Sequence, residues 1–184
     1  MIRRSVLALV LGGMAGPALA QFDTMTQKPI VKAVRDGDEE KVRQSLLKGE
    51  NPNQIDSSGR PLLMIAVMDG QVAVAETLLK GGSLADAVDR EGYTSLIRAA
   101  ERGDIDIVDL LLKRHARPSA QSRQGVTALM VAARLGHAEI VRLLLDRKAD
   151  PNVADFTGRT ALTYARQGNR ASIERLLRKA GARE

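Results

Sequence analysis

The side chains able to carry out chemistry are few and scattered. His115 and His137 are the two imidazoles of the 184-residue chain, and cysteine is absent. An imidazole can ligate a metal or haem iron, or move a proton, but each use needs partner residues at set spacings. No clustered ligand spacing surrounds either histidine. The lack of cysteine removes disulfides, thiolate nucleophiles and zinc–cysteine sites together. Serines are dispersed, and none lies in a Gly-x-Ser-x-Gly elbow. The phosphate loop and the dinucleotide fingerprint are missing as well. Carboxylates do occur in close pairs, Glu39/Glu40 and Asp104/Asp106. Both pairs open expected helices, where the helix dipole favours negative charge, so they read as helix starts and not as an acid–base pair. The chain thus reads as a non-enzyme with no cofactor and no metal.

The elements that would position these residues repeat. Asp23, Asp56, Asp89, Ser122 and Asp155 stand 33 apart. Gly59, Gly92, Gly125 and Gly158 share that step, and so do Leu63, Leu96, Leu129 and Leu162. Ala33, Ala66, Ala99, Ala132 and Ala165 form a third series. A second glycine recurs at Gly37, Gly70, Gly103 and Gly136, then at Gly168, one residue early. Ile107, Ile140 and Ile173 are in phase again, so a one-residue deletion in a turn is expected near Gly168.

Residues 122–154 illustrate one unit. Thr127 is a good N-cap for a short apolar helix over about 127–135, which Gly136 ends by adopting positive φ. A second helix over about 138–147 carries a broad apolar face of Ile140, Val141, Leu143, Leu144 and Leu145. Ala149-Asp150-Pro151-Asn152 then turns the chain towards the next hairpin. Alanine on the first helix lets adjacent layers approach closely. One helix pair cannot bury both its faces, so neighbours must stack. Gly81-Gly82 reads as a helix cap.

The pattern D-x-x-G-x-T-x-L-x-x-A-A-x-x-G-H-x-x-I-V-x-L-L-L-x-x-x-A-D-x-N resembles the ankyrin repeat over about 23–184. The resemblance implies an all-α solenoid of five stacked helix-turn-helix units with projecting hairpin loops, at about 23–55, 56–88, 89–121, 122–154 and 155–184. It also implies protein–protein binding, usually without catalysis. The family's Thr-Pro-Leu-His tetrapeptide never appears whole; it reads Pro61-Leu62-Leu63-Met64, Thr94-Ser95-Leu96-Ile97, Thr127-Ala128-Leu129-Met130 and Thr160-Ala161-Leu162-Thr163. Without its histidine, these layers are expected to depend more on packing than on a polar network. His137 holds the family's Gly-His position, which implies a bracing role in the loop. His115 and Lys148 stand where the family prefers glycine, so a left-handed backbone there costs on the order of 1 kcal/mol each. In the outermost copies, polar Lys41, Gln44, Ser45, Glu174 and Arg178 replace mostly apolar residues and read as caps that favour a monomer.

Residues 1–20 read differently. Arg3 and Arg4 precede a short apolar run that ends in Ala18-Leu19-Ala20, the pattern of a secretory signal peptide cut after Ala20. The run is too short and glycine-rich for a stable span. No cysteine follows it, which excludes a lipid-anchored lipoprotein. Losing Arg3 and Arg4 lowers the net charge by two, from +6 to +4. The expected location is the periplasm, and nucleic acid is not expected as a partner despite a pI near 10.

Function must then lie in what does not repeat. The family resemblance implies a concave face of hairpin tips and first-helix edges. The candidates there for partner binding are Arg60, Arg90, Glu91, Tyr93, Arg102, Arg123, Gln124, Arg134, Phe156 and Arg159. Arg, Tyr and Phe concentrate binding energy at interfaces, and the arginines suit a partner with an acidic patch. The alternative is a small-ligand or haem-handling protein using His115 or His137. Weak attachment to anionic phospholipid or cell-wall polymer would need only net charge.

Overall fold

The computed structural model describes residues 28–183. The expected signal peptide and Asp23 lie outside them. Ten helices and no strands beyond isolated bridges are found among the described residues. They form five pairs: α1 (Pro29–Arg35) with α2 (Glu39–Leu47), α3 (Leu62–Met68) with α4 (Val72–Lys80), and α5 (Ser95–Arg102) with α6 (Ile105–Lys113). The last two pairs are α7 (Ala128–Leu135) with α8 (Ala138–Asp146) and α9 (Ala161–Gln167) with α10 (Ala171–Lys179). Each first helix packs on the first helix of the next pair, and each second helix on the next second helix. The fold is an all-α repeat solenoid. No described helix is long and apolar enough to cross a membrane.

The recurring alanines explain the stacking. Ala33, Ala66, Ala99, Ala132 and Ala165 are at most 2% exposed and let the first helices approach closely. Ile107, Ile140 and Ile173, with Leu78, Leu111, Leu144 and Leu177, fill the space beneath the second helices. Helix starts follow the sequence closely. The Thr94, Thr127 and Thr160 hydroxyls accept from the amides of Ile97, Met130 and Thr163. Asp104 accepts from the Ile107 amide, while Glu39/Glu40 and Asp106 lie in first turns. In the tetrapeptide, Met130 Sδ and Thr163 Oγ1 receive the Thr127 and Thr160 amides at 3.4 Å. These are weaker acceptors than a ring nitrogen, and Met64 and Ile97 offer apolar packing alone.

A second ladder runs through the turns after the second helices. Asn53, Asp86, Ser119 and Asn152 each accept, at 2.8–2.9 Å, from the backbone amide 31 residues on: Leu84, Arg117, Asp150 and Arg183. Each turn thereby ties itself to the next layer.

Two expectations need correction. The fifth unit has no deletion. Asn169, 33 residues after Gly136, holds the left-handed position with φ 54°. Asparagine tolerates that region better than other side chains. Gly168 has φ −83° and serves close approach instead: a Cβ there would lie 2.8 Å from the Arg134 carbonyl oxygen. Ser45 is not an outward cap. It occupies the inward position of Leu78 and Leu111 and is 6% exposed, whereas Lys41 and Gln44 do face solvent.

His115 and Lys148 adopt φ of 65° and 66°, at the position held elsewhere by Gly49, Gly82 and Gly181. Relief of the Cβ clash outweighs glycine's greater unfolded-state entropy. His115→Gly and Lys148→Gly are each expected to stabilise the chain by about 0.5–1 kcal/mol. Urea unfolding measures this; an unchanged or lowered midpoint would refute it.

Candidate functional site

Each described hairpin is built around one acceptor. Asp56 Oδ1 accepts from the amides of Ser58 and Arg60, and Asp89 Oδ1 from those of Glu91 and Tyr93. Asp155 Oδ1 accepts from Thr157 and Arg159. In the fourth hairpin Ser122 Oγ takes over, accepting from Gln124 and Val126 at 3.2 Å. Fixing the loop in this way sets the direction of the variable side chains on it.

The buried carboxylates are also satisfied sideways. Asp56 pairs with Arg60 at 2.7 Å and Arg35 at 3.3 Å. Burial pushes its carboxyl up, but the Arg60 side chain and amide, with Arg35, hold it below the usual range. Asp89 pairs with Arg98 at 3.1 Å, nine residues on. The Arg98 guanidinium lies 4.1 Å from the Tyr93 ring centroid and also reaches Glu101 at 3.1 Å and Glu91 at 3.6 Å. It fixes the tyrosine ring from one side. Asp155 receives the Tyr164 hydroxyl at 2.6 Å, again nine residues on, and the Thr157 hydroxyl at 2.7 Å. Burial raises the Asp155 pKa, yet the Tyr164, Thr157 and Arg159 bonds outweigh it and hold the carboxyl down to about 2.

Between these polar clusters lies a small notch of about 60 Å³, open to solvent and lined by polar and apolar atoms alike. Tyr93, Val126, Met130, Val131 and Tyr164 line it, with Glu101 and Arg134 at its lip. Arg134 sits 5.9 Å from the Tyr164 ring centroid and forms no ion pair among the described residues. Such a notch can seat one apolar side chain, with a cation beside it.

The sequence-derived candidates divide between this site and the scaffold. Tyr93 and Arg134 line the notch. Arg159 and Gln124 stand exposed on the adjoining hairpins. Glu91 is exposed and loosely paired with Arg98. Arg90, Arg123 and Phe156 lie back over the glycine of the preceding hairpin, near Gly59, Gly92 and Gly125, with Phe156 left 78% exposed. Arg102 donates to the Met68 carbonyl at 2.6 Å, and Arg60 serves Asp56, so both also perform scaffold work. Sequence reasoning missed Arg98 and Tyr164. Their signal was the shared step of nine residues after a hairpin aspartate.

The histidines stand apart from the notch. The His137 ring does not cap α8; it lies over Gly103, where a Cβ would meet its Cε1 at 2.7 Å. It therefore braces the turn of the preceding layer. His115 is exposed on the turn after α6. Among the described residues no group of three or more His, Asp or Glu is placed to hold a metal ion.

A family model described as ankyrin repeats in three copies matches residues 30–122. A second, described as ankyrin repeats in many copies, matches residues 111–165. Comparison with curated proteins gives no match.

The low pKa of Asp155 sets a pH dependence. A carboxyl depressed in the folded state stabilises above its unfolded pKa, near 4, and that contribution is lost as pH falls through about 2. Tyr164→Phe is expected to cost on the order of 1–2 kcal/mol at pH 7, and less at pH 2, where about half of the acceptor is protonated. Denaturant unfolding at the two pH values tests this; an equal cost at both would contradict it.

Proposed function

This chain belongs to the ankyrin repeat family, and from that premise we propose that it is a non-enzymatic module whose protein partner seats on the hairpin and first-helix face of the third to fifth layers. Ankyrin repeats generally mediate protein–protein interaction. The observation that carries the assignment to this face is the notch between Tyr93 and Tyr164, with Arg134 at its lip against the Tyr164 ring and without an ion pair among the described residues. A central pocket for an anchor residue, with aromatic walls and a charged rim, is the arrangement that concentrates binding energy at interfaces. Among the described residues Arg123 and Arg159 nearby form no ion pair, though Arg159 also approaches the Tyr164 hydroxyl, and this suits a partner with an acidic patch.

The charged start and apolar run of residues 1–20 support export across the inner membrane, and we place the mature protein, residues 21–184, in the periplasm. There it would act as an adaptor, as an inhibitor or immunity protein for a secreted toxin, or as an accessory factor for an envelope enzyme. A monomer bearing one binding face fits each role.

Photo-crosslinking in intact cells tests the reading. A crosslinking amino acid at Gln124 or Arg134 is expected to capture a discrete protein that the same probe at Arg142, on α8, does not. Equal capture from Arg142, or none from either face position, would overturn it.

A further inference from the structure

The charge of the solenoid is segregated along its length. Residues 28–121 hold 14 Lys and Arg against 15 Asp and Glu, whereas residues 122–184 hold 12 against six. The positive excess therefore belongs to the fourth and fifth layers. The second helices show where part of it is carried. Glu76, Asp109, Arg142 and Arg175 occupy one repeat position on four successive second helices. The first two are neutralised. Glu76 pairs with Lys80 at 2.9 Å and with Arg114 at 3.8 Å, and Asp109 with Lys113 at 2.7 Å and Arg147 at 2.8 Å. Arg114 and Arg147 thus each reach back to the preceding layer, and in the fifth layer Ala180 stands in their place. Arg142 and Arg175 are exposed on the packed helices α8 and α10 and form no ion pair among the described residues, although Asp146 lies one turn beyond Arg142. Lys148, in the turn after α8, and Lys179, at the end of α10, are likewise exposed and without an ion pair there. The carboxylates of α8 are Glu139 and Asp146; on α10, Glu174 is turned to Arg166 at 3.5 Å. Asp150 closes its own turn by accepting from the Asn152 amide.

We infer that α8 and α10 form a basic face that lies against the headgroups of an anionic phospholipid bilayer and attaches the protein to it reversibly. The inference goes beyond the protein-binding reading and does not depend on it, since no residue of α8 or α10 lines the notch. Charge complementarity selects an anionic occupant, and the other residues of the two helices narrow the choice. A specific protein interface has an apolar core. None of the large exposed hydrophobics lies on α8 or α10. Single-stranded nucleic acid stacks its bases on aromatic side chains. Neither helix carries one. A plane of lipid phosphates asks only for cations held at one surface, within a Debye length of it. Guanidinium groups suit it, because their fork donates to two phosphate oxygens at once. With no described helix long and apolar enough to cross a membrane, the contact is one of headgroup and side chain.

The probe is a phosphatidylcholine vesicle containing about 30% phosphatidylglycerol, compared with phosphatidylcholine alone, and cosedimentation of the purified chain at low salt is the readout. Binding is expected to the anionic vesicles only. It should be lost at about 0.5 M salt, where the Debye length falls to roughly 4 Å. A cation near such a surface is worth about five-fold in affinity, so Arg142→Gln with Arg175→Gln should weaken binding about 25-fold. Arg142→Lys with Arg175→Lys keeps both charges and should stay within about three-fold of the unaltered chain. Lys80→Gln with Lys113→Gln removes the same charge from the second and third layers, and should cost less than about three-fold. All variants share residues 1–27, so the differences between them report the helices alone. No binding to the anionic vesicles, or equal binding to the neutral ones, would overturn the inference. So would a loss in the Lys80 and Lys113 pair, or in the Arg-to-Lys pair, as large as in the Arg-to-Gln pair. Polyglutamate or duplex DNA bound as tightly as the anionic vesicles, at the same charge concentration, would assign the face to a soluble polyanion and overturn it as well.

Discussion

Everything in this molecule depends on burial between layers. A pair of helices of seven to nine residues each is too short to be stable alone and carries apolar surface on two sides. Ala66, Ala99 and Ala132 are wholly buried because another first helix lies against them on each side. The same holds beneath the second helices for Leu78, Leu111 and Leu144. Polar groups are threaded through this apolar stack where the backbone turns. The hairpin acceptors Asp56, Asp89, Ser122 and Asp155 close each loop on itself, and the 31-residue ladder from Asn53 to Asn152 closes each layer on the next. Buried amides at both ends of the unit are therefore satisfied without any residue on the hairpin rim.

That separation leaves the rim free to vary, and its variation is what distinguishes one layer from another. The position five residues into each hairpin unit is Arg60, Tyr93, Val126 and Arg159 in turn, while the matching position on the first helix is Ile65, Arg98, Val131 and Tyr164. These two series meet over the third to fifth layers to form the notch. Its walls are held by interactions of the scaffold kind: Arg98 stacked on Tyr93, and Tyr164 bonded to Asp155. A preorganised pocket of this sort loses little side-chain entropy when it is filled.

Much of the architecture was legible because it recurs. The threonine caps, the alanine column and the strained backbone of His115 and Lys148 all follow from position within the period. Errors arose where one residue type serves two purposes. Gly168 counts as the repeating turn glycine by residue type, one position early, because glycine usually supplies positive φ; Asn169 supplies it instead, and Gly168 makes room for a carbonyl oxygen. Polarity alone makes Ser45 look like an exposed cap, yet a small hydroxyl fits an inward site that a lysine cannot. The candidate site was legible in part. Tyr93 and Arg134 stand out by type and position, whereas Arg98 and Tyr164 look like ordinary helix residues until the chain is folded and their aspartates come within reach. Arg102 shows the converse, an exposed arginine whose guanidinium is occupied by the Met68 carbonyl.

Cohesion between layers can be measured directly by amide hydrogen exchange on the purified chain. If stability comes from neighbours, the amides of α5 and α7, which have a layer on each side, exchange most slowly, and protection declines towards α2 and α10. Slow exchange of α2 or α10 equal to that of α5 would contradict this. It would mean that each helix pair holds itself together, and that stacking is a consequence of the fold instead of its cause.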